Sequence, residues 1–210
     1  MNGNVCNHLA ERLECEIDIS NKNDKNGSRY SKSSQVKSRG KKFDYSGNDE
    51  FNGIINFLLS QSNDQIENEI EFTTSTIYGN DYRPREIAFD NSKFFMTENQ
   101  NLENCWFCMK FKNHRIIPSN YSIKSDNSHF GNVKSPKSWV IEGSNDKSTW
   151  EILDEQKNDS FLKNYNIHTF AMNNQSSKEF QYIRMRLTEP NWYGNFYFLV
   201  DRFNIYGTLI

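Results

Sequence analysis

Hydrophobic and polar side chains alternate along much of the C-terminal two-thirds of the chain. In Trp139–Ser144, Trp139, Ile141 and Gly143 alternate with Val140, Glu142 and Ser144. In Tyr182–Leu187, Ile183, Met185 and Leu187 form one row, while Tyr182, Arg184 and Arg186 form the other. A period of two is the repeat of a β-strand with one face buried, and the aliphatic stems of arginine can lie on the other face. Between Trp139–Ser144 and the apolar run Trp150, Ile152, Leu153 stands Gly143-Ser144-Asn145-Asp146-Lys147-Ser148, dense in turn formers. Two apolar runs around such a stretch predict a β-hairpin with a loop longer than two residues. The final run, Phe196 to Tyr206, alternates in part and is followed by Gly207.

Other segments fill in the plan. Phe51, Ile54, Ile55, Leu58 and Leu59 have helical spacing, which predicts one short helix. Ile70–Thr76, Trp106–Phe111, Tyr121–Ile123 and Ile167–Phe170 read as strands. Short alternating strands separated by polar loops make an antiparallel sandwich or barrel. Trp106, Trp139 and Trp150 occupy alternating strand positions and are expected in the core. Thr76 to Asn101 is a long polar loop around Pro84, of a length often given to function. Trp192 lies between Pro190-Asn191 and Tyr193-Gly194, which places it in a loop as a contact residue or as a plug. Near the start, Glu14, Glu16 and Asp18 alternate with Cys15, Ile17 and Ile19, which favours a strand, and residues 20 to 42 read as linker.

These stretches resemble the discoidin domain, also called the coagulation factor type C domain, within the galactose-binding-like jelly rolls. The narrower likeness is to the intracellular branch found beside BTB domains. It rests on Phe51-Asn52-Gly53-Ile54-Ile55-Asn56-Phe57-Leu58, Trp106–Phe111, Arg115–Ile123, the hairpin, Tyr182–Leu187 and Phe203-Asn204-Ile205-Tyr206-Gly207. One departure is Asn204, where this branch usually has an acidic residue; a charge-dependent role there is put in doubt, the fold is not. The resemblance implies an antiparallel β-sandwich over residues 43–210 behind an N-terminal extension, residues 1–42. It also implies a ligand site in the loops at one end. Placed there are Tyr78, Tyr82, Arg83 and Arg85 from the long loop, and Trp192 and Tyr193 from the Thr188–Asn195 loop. Lectin-like and protein-binding versions of such sites both use aromatic platforms with Arg or Asn. Some discoidin relatives bind calcium, and Asn80, Asp81, Asp90 and Asn91 are the nearest oxygen-rich candidates. The full calcium-loop pattern is absent, so no metal is assigned.

Composition changes this picture only a little. The 210 residues are 35% hydrophobic and 14% aromatic, so large rings can build a core from few residues. Net charge is −2, which offers no field for nucleic acid. Residues 20–42 hold eight Lys or Arg against one Asp, and residues 43–210 carry a net −6. The basic segment is expected to be flexible, with contact to an acidic surface as its functional reading. No secretory leader is expected, since the start lacks a basic patch followed by an apolar stretch, and no run approaches the roughly 18 apolar residues that span a bilayer. A cytoplasmic location with reduced cysteines is expected.

Candidate chemistry is sparse. Cys105-Trp-Phe-Cys108 has the spacing of half a zinc site or a redox pair, but it continues as a strand that places the thiols on opposite faces. The four histidines, among them His114, His129 and His168, are scattered. Arg184 and Arg186 are expected to cross the sheet face or to anchor carbonyls. No phosphate loop, nucleophile elbow or zinc-protease motif is present. The expected function is therefore a binding module without catalysis or cofactor. Its expected partner is a protein, within a cytosolic, cytoskeletal or ciliary assembly; the alternative is a glycan, bound as a lectin binds it.

Overall fold

The computed structural model describes residues 40–125, 134–164, 166–174 and 177–210. The expectations for residues 1–39, the strand at Cys15–Ile19 and most of the basic segment, lie outside these, as does His129. Eleven strands are found among the described residues. They are β1 (Lys41–Phe43), β2 (Ile70–Thr74), β3 (Phe95–Met96), β4 (Trp106–Phe111), β5 (Ile116–Lys124), β6 (Trp139–Ser144), β7 (Glu151–Gln156), β8 (Ile167–Ala171), β9 (Tyr182–Leu187), β10 (Leu199–Val200) and β11 (Arg202–Leu209). They make a five-stranded sheet, β2-β4-β9-β6-β7, a four-stranded sheet, β1-β11-β5-β8, and a small pair, β10-β3, every pairing antiparallel. The described residues thus form an antiparallel β-sandwich with one α-helix, α1 (Ile54–Gln61). Strand β1 enters the sheet at Lys41, two residues before the boundary read from the sequence.

The alternation in the sequence becomes the division between core and surface. Phe107, Met185 and Ile141 are Cα partners across β4, β9 and β6, as are Met109, Ile183 and Gly143. All the apolar members of these two rows are buried in the core, with Phe203, Ile205, Tyr121 and Ile123 contributed by the other sheet. Gly143 stands in the inner row because the Phe180 ring takes the space of its side chain; an added Cβ would lie 2.7 Å from that ring. Gly207 sits at the register shift between β11 and β5 with φ +134°, a left-handed-side conformation open to glycine, and its α-carbon faces the Ile117 carbonyl.

Two buried polar networks fix the register. Trp139 donates its indole N–H to the Tyr121 hydroxyl at 2.9 Å, and that hydroxyl donates to Asp154 at 2.6 Å. Asp154 also accepts from Gln156 and from the Asn173 backbone N–H. Burial, then the neighbouring Asp154, pushes the Tyr121 phenol well above its usual range, so it stays a donor. The second network explains the departure at Asn204. Its Oδ1 accepts the backbone N–H of Ile55, at the start of α1, and of Ile205. Its Nδ2 donates to the Phe51 carbonyl, a bond that an ionised carboxylate could not make.

Candidate functional site

Positions facing outward from the five-stranded sheet also line up. Trp106, Arg186 and Val140 are partners in one row, and Cys108, Arg184 and Glu142 in the next. Glu142 is only 4% exposed and accepts from Arg184 Nε at 2.8 Å and Arg186 Nη2 at 3.1 Å. Trp150 lies over the Arg184 guanidinium, 3.9 Å from its ring centroid. One expectation is corrected here. Trp106 and Trp150 are half-buried on this outer face, not in the core, because their parity is that of the arginines. The arginines cross the sheet face, one of the two expected arrangements, and end on the Glu142 carboxylate of the neighbouring strand. The result is a face closed over by its own long side chains.

Both thiols of the Cys-x-x-Cys are buried, on opposite parities. Cys105 donates towards the Asn101 and Phe196 carbonyls. Cys108 lies under the arginine layer, so neither is a surface thiol. Burial pushes each up to about 11, which keeps them protonated and poorly nucleophilic. His114 approaches Glu69 at 3.7 Å, and His168 stacks on Phe161 at 4.2 Å.

The loops are organised differently. Asn191, 2% exposed, holds the 191–197 turn from inside. Its Oδ1 accepts the N–H groups of Tyr193 and Asn195, and its Nδ2 donates to Asn195 and to the Tyr197 carbonyl. The turn therefore presents Trp192 and Tyr193 at one end and Tyr197 at the other. Tyr197 packs edge-on against Tyr78 at 5.7 Å, and Tyr78 against Tyr82 at 5.4 Å. Tyr82 continues to Phe94 at 5.0 Å, over the small buried group Phe94, Met96 and Leu199. Three lysines border these rings: Lys134 over Tyr197 at 4.7 Å, and Lys163 and Lys137 over Trp192 at 4.4 and 5.8 Å. The indole Nε1 of Trp192 is buried without a hydrogen-bond partner. Tyr193 is 68% exposed and Tyr78 44%.

Of the six residues placed in a site from the sequence, Tyr78 and Tyr82 touch each other. The Asn191-built turn links them to Trp192 and Tyr193 through Tyr197. Arg83 and Arg85 stand apart. They line a polar cleft with Asn80, Asp81 and Lys93, and an apolar groove with Phe72, Ile77 and Pro84. Arg85 is tied to Glu67 and stacks over Phe89 at 5.1 Å. Sequence reading missed Tyr197, Lys134, Lys137 and Lys163. Only folding brings Lys163, in the short turn Phe161–Asn164, over a ring from another loop.

The calcium candidates do not converge. Asp90 is paired with Arg202 at 3.2 Å and approaches Lys124 at 4.0 Å, while Asn80, Asp81 and Asn91 share their cleft with Arg83, Arg85 and Lys93. Among the described residues no group of three His, Cys, Asp or Glu is placed to hold a metal. No helix among them is long and apolar enough to cross a membrane.

Solved structures similar to this chain include carbohydrate-binding modules and a discoidin-type domain. A family 32 module from Clostridium perfringens, in complex with GalNAc-β-1,3-galactose, superposes with a TM-score of 0.51 at 9% identity, covering 67% of this chain and 97% of that one. A chitosan-binding module from Paenibacillus sp. IK-5, in complex with chitotriose, gives 0.52 at 13% identity over 66% and 97%. An F5/8 type C domain from Bacteroides fragilis gives 0.51 at 15% over 68% and 93%. Likeness at such identity shows the fold, and the fold agrees with the resemblance read from the sequence. No curated protein matches the chain in sequence. The family model described as Sad1 / UNC-like C-terminal, itself a galactose-binding-like fold, matches residues 73–209. With every strand from β3 to β11 inside that match, the chain belongs to the Sad1/UNC-like C-terminal family.

Proposed function

We propose that this domain is a non-catalytic module that binds a protein partner through the loop cluster of Tyr78, Tyr82, Trp192, Tyr193 and Tyr197, as a subunit of a cytosolic, cytoskeletal or ciliary assembly. One observation carries the reading: Tyr78 and Tyr82 of one loop meet Tyr197 of another edge-on, and the turn that carries Tyr197 also carries Trp192, whose buried Nε1 has no hydrogen-bond partner. Exposed aromatic rings held by a rigid scaffold are the usual anchors of protein interfaces. The basic arm before β1 is read as a second contact, with an acidic surface.

A second reading has its own support. The similar solved structures include modules in complex with sugars, and aromatic faces suit sugar rings as well as side chains. The experiment is to identify proteins that co-purify with the native chain, and to measure the affinity of one purified partner for the wild type and for Trp192→Ala. A loss of about 2 kcal/mol or more is expected for an interface anchor. A glycan array runs in parallel. Sub-millimolar sugar binding that is lost in Trp192→Ala would replace the protein reading with the glycan one, and unchanged partner affinity would remove the loop cluster from the interface.

A further inference from the structure

We infer that the segment recognised by the loop cluster is acidic: an extended peptide carrying Asp or Glu beside an aromatic residue. This rests on the proposed function and adds the chemistry of its partner. Lys137 and Lys163 both stand over Trp192, and Lys134 stands over Tyr197. Among the described residues, two carboxylates lie in the segments that carry these lysines and the indole. Glu189 is held by the Ser138 hydroxyl at 2.7 Å and by Lys137 at 3.4 Å. Asp159 accepts the backbone N–H of Phe161 at 2.9 Å, so it is used within its own turn. Lys163 is exposed and has no carboxylate within ion-pair distance among the described residues.

Charge thus runs against the rest of the domain, which is net negative over residues 43–210. Lys163 over the Trp192 face favours an incoming carboxylate, because the ring attracts the ammonium and leaves it donors to offer. Phe161, 56% exposed, shares the turn of Lys163, and Tyr193, 68% exposed, follows Trp192, so both offer apolar surface. A polysaccharide would use the rings and hydroxyl contacts but not the apolar flank. A peptide with alternating acidic and aromatic residues uses both, and it would be steered to the cluster electrostatically.

The test is fluorescence anisotropy with labelled synthetic peptides, one alternating Glu and Tyr, the other Lys and Tyr, against the wild type and Lys163→Glu. Lys163 is on the surface, so the variant is expected to keep the wild-type melting curve. The Glu–Tyr peptide is expected to bind the wild type, with affinity falling as salt rises, and to bind Lys163→Glu about tenfold more weakly. The Lys–Tyr peptide is expected to bind the wild type at least about tenfold more weakly than the Glu–Tyr peptide. Equal binding of the two peptides, or no change in Lys163→Glu, would overturn the inference. Trp192→Ala separates its failure from that of the proposed function. If Trp192→Ala abolishes binding while Lys163→Glu does not, the loop cluster stands and its acidic preference falls. If neither variant changes binding, both fall. An oligogalacturonate that binds where the Glu–Tyr peptide does not would also overturn the peptide assignment.

Discussion

The outer face of the five-stranded sheet and the loop cluster are built from the same ingredients, a tryptophan and two cations, and they end in opposite states. On the sheet, Trp150 covers Arg184, and Arg184 and Arg186 share the buried carboxylate of Glu142. In the loops, Lys137 and Lys163 stand over Trp192, only Lys137 has a carboxylate there, and the indole nitrogen has no partner. The first arrangement ties both cations to one buried carboxylate and closes a surface. The second leaves Lys163 without a carboxylate among the described residues and Tyr193 exposed. The difference lies in the reach of one carboxylate: Glu142 on β6 holds both arginines, whereas Glu189 holds Lys137 alone, and it separates a structural face from the proposed recognition surface.

The strongest way to break the contrast is to open the sheet face. Glu142→Ala leaves two partly buried arginines facing each other without a counter-charge. It is expected to cost about 3 kcal/mol of stability in urea denaturation, while peptide binding at the loops stays within twofold of wild type, about 0.4 kcal/mol. A fall in binding of Glu142→Ala that tracks its stability would mean that the two regions are coupled.

The next step compares the tryptophans. Trp150→Ala removes a ring stacked on an arginine and is expected to lower stability by about 1–2 kcal/mol without loss of binding. Trp192→Ala is expected to do the reverse, with less than about 1 kcal/mol in stability and about 2 kcal/mol or more in binding. Matching effects in the two variants would erase the distinction. A smaller effect is expected at Asn191, whose amide holds the turn. Asn191→Ala removes bonds to Asn195 and Tyr197 and is expected to cost about 1 kcal/mol, with faster amide hydrogen exchange at Tyr193 and Asn195 and unchanged exchange in β6.

How much of this was written in the sequence follows from the same contrast. The rows Trp139, Ile141, Gly143 and Ile183, Met185, Leu187 were legible because a strand repeats every two residues, and the repeat needs no knowledge of the partner strand. The strands β4, β6 and β9 follow from it directly. Trp106 and Trp150 were misplaced in the core because size was allowed to outrank parity. Trp106 alternates with Phe107 and belongs with Cys108 and Lys110. Trp150 stands just before β7, and its place comes from Arg184, on a strand distant in sequence. In the loops, turn chemistry placed Trp192 and Tyr193 correctly outside the strands. Tyr197 and the lysines could not be read, since their meeting is made by the packing of four separate segments. Arg85 looked like a site cation by proximity to Tyr82, but folding spends it on Glu67.

The smallest expected effect is at the hairpin tip, a control that belongs to neither region. Backbone N–H groups of Thr149 and Ser148 hold the Asp146 carboxyl well below the usual carboxylate range. A lowered folded-state value stabilises the fold above the unfolded-state pKa, and that contribution is lost as pH falls through the folded-state value. Asp146→Asn should therefore melt slightly below wild type at neutral pH. The gap should narrow only in strong acid, with no change in peptide affinity at any pH.

The most direct test of the account is a pair of photo-crosslinking variants, with benzoylphenylalanine at Tyr193 in the loop cluster and at Ile152, exposed on β7 beside Glu142. With the Glu–Tyr peptide present, the account predicts a crosslinked adduct from position 193 and none from position 152. An adduct from position 152 alone would show that the sheet face, and not the loops, receives the partner.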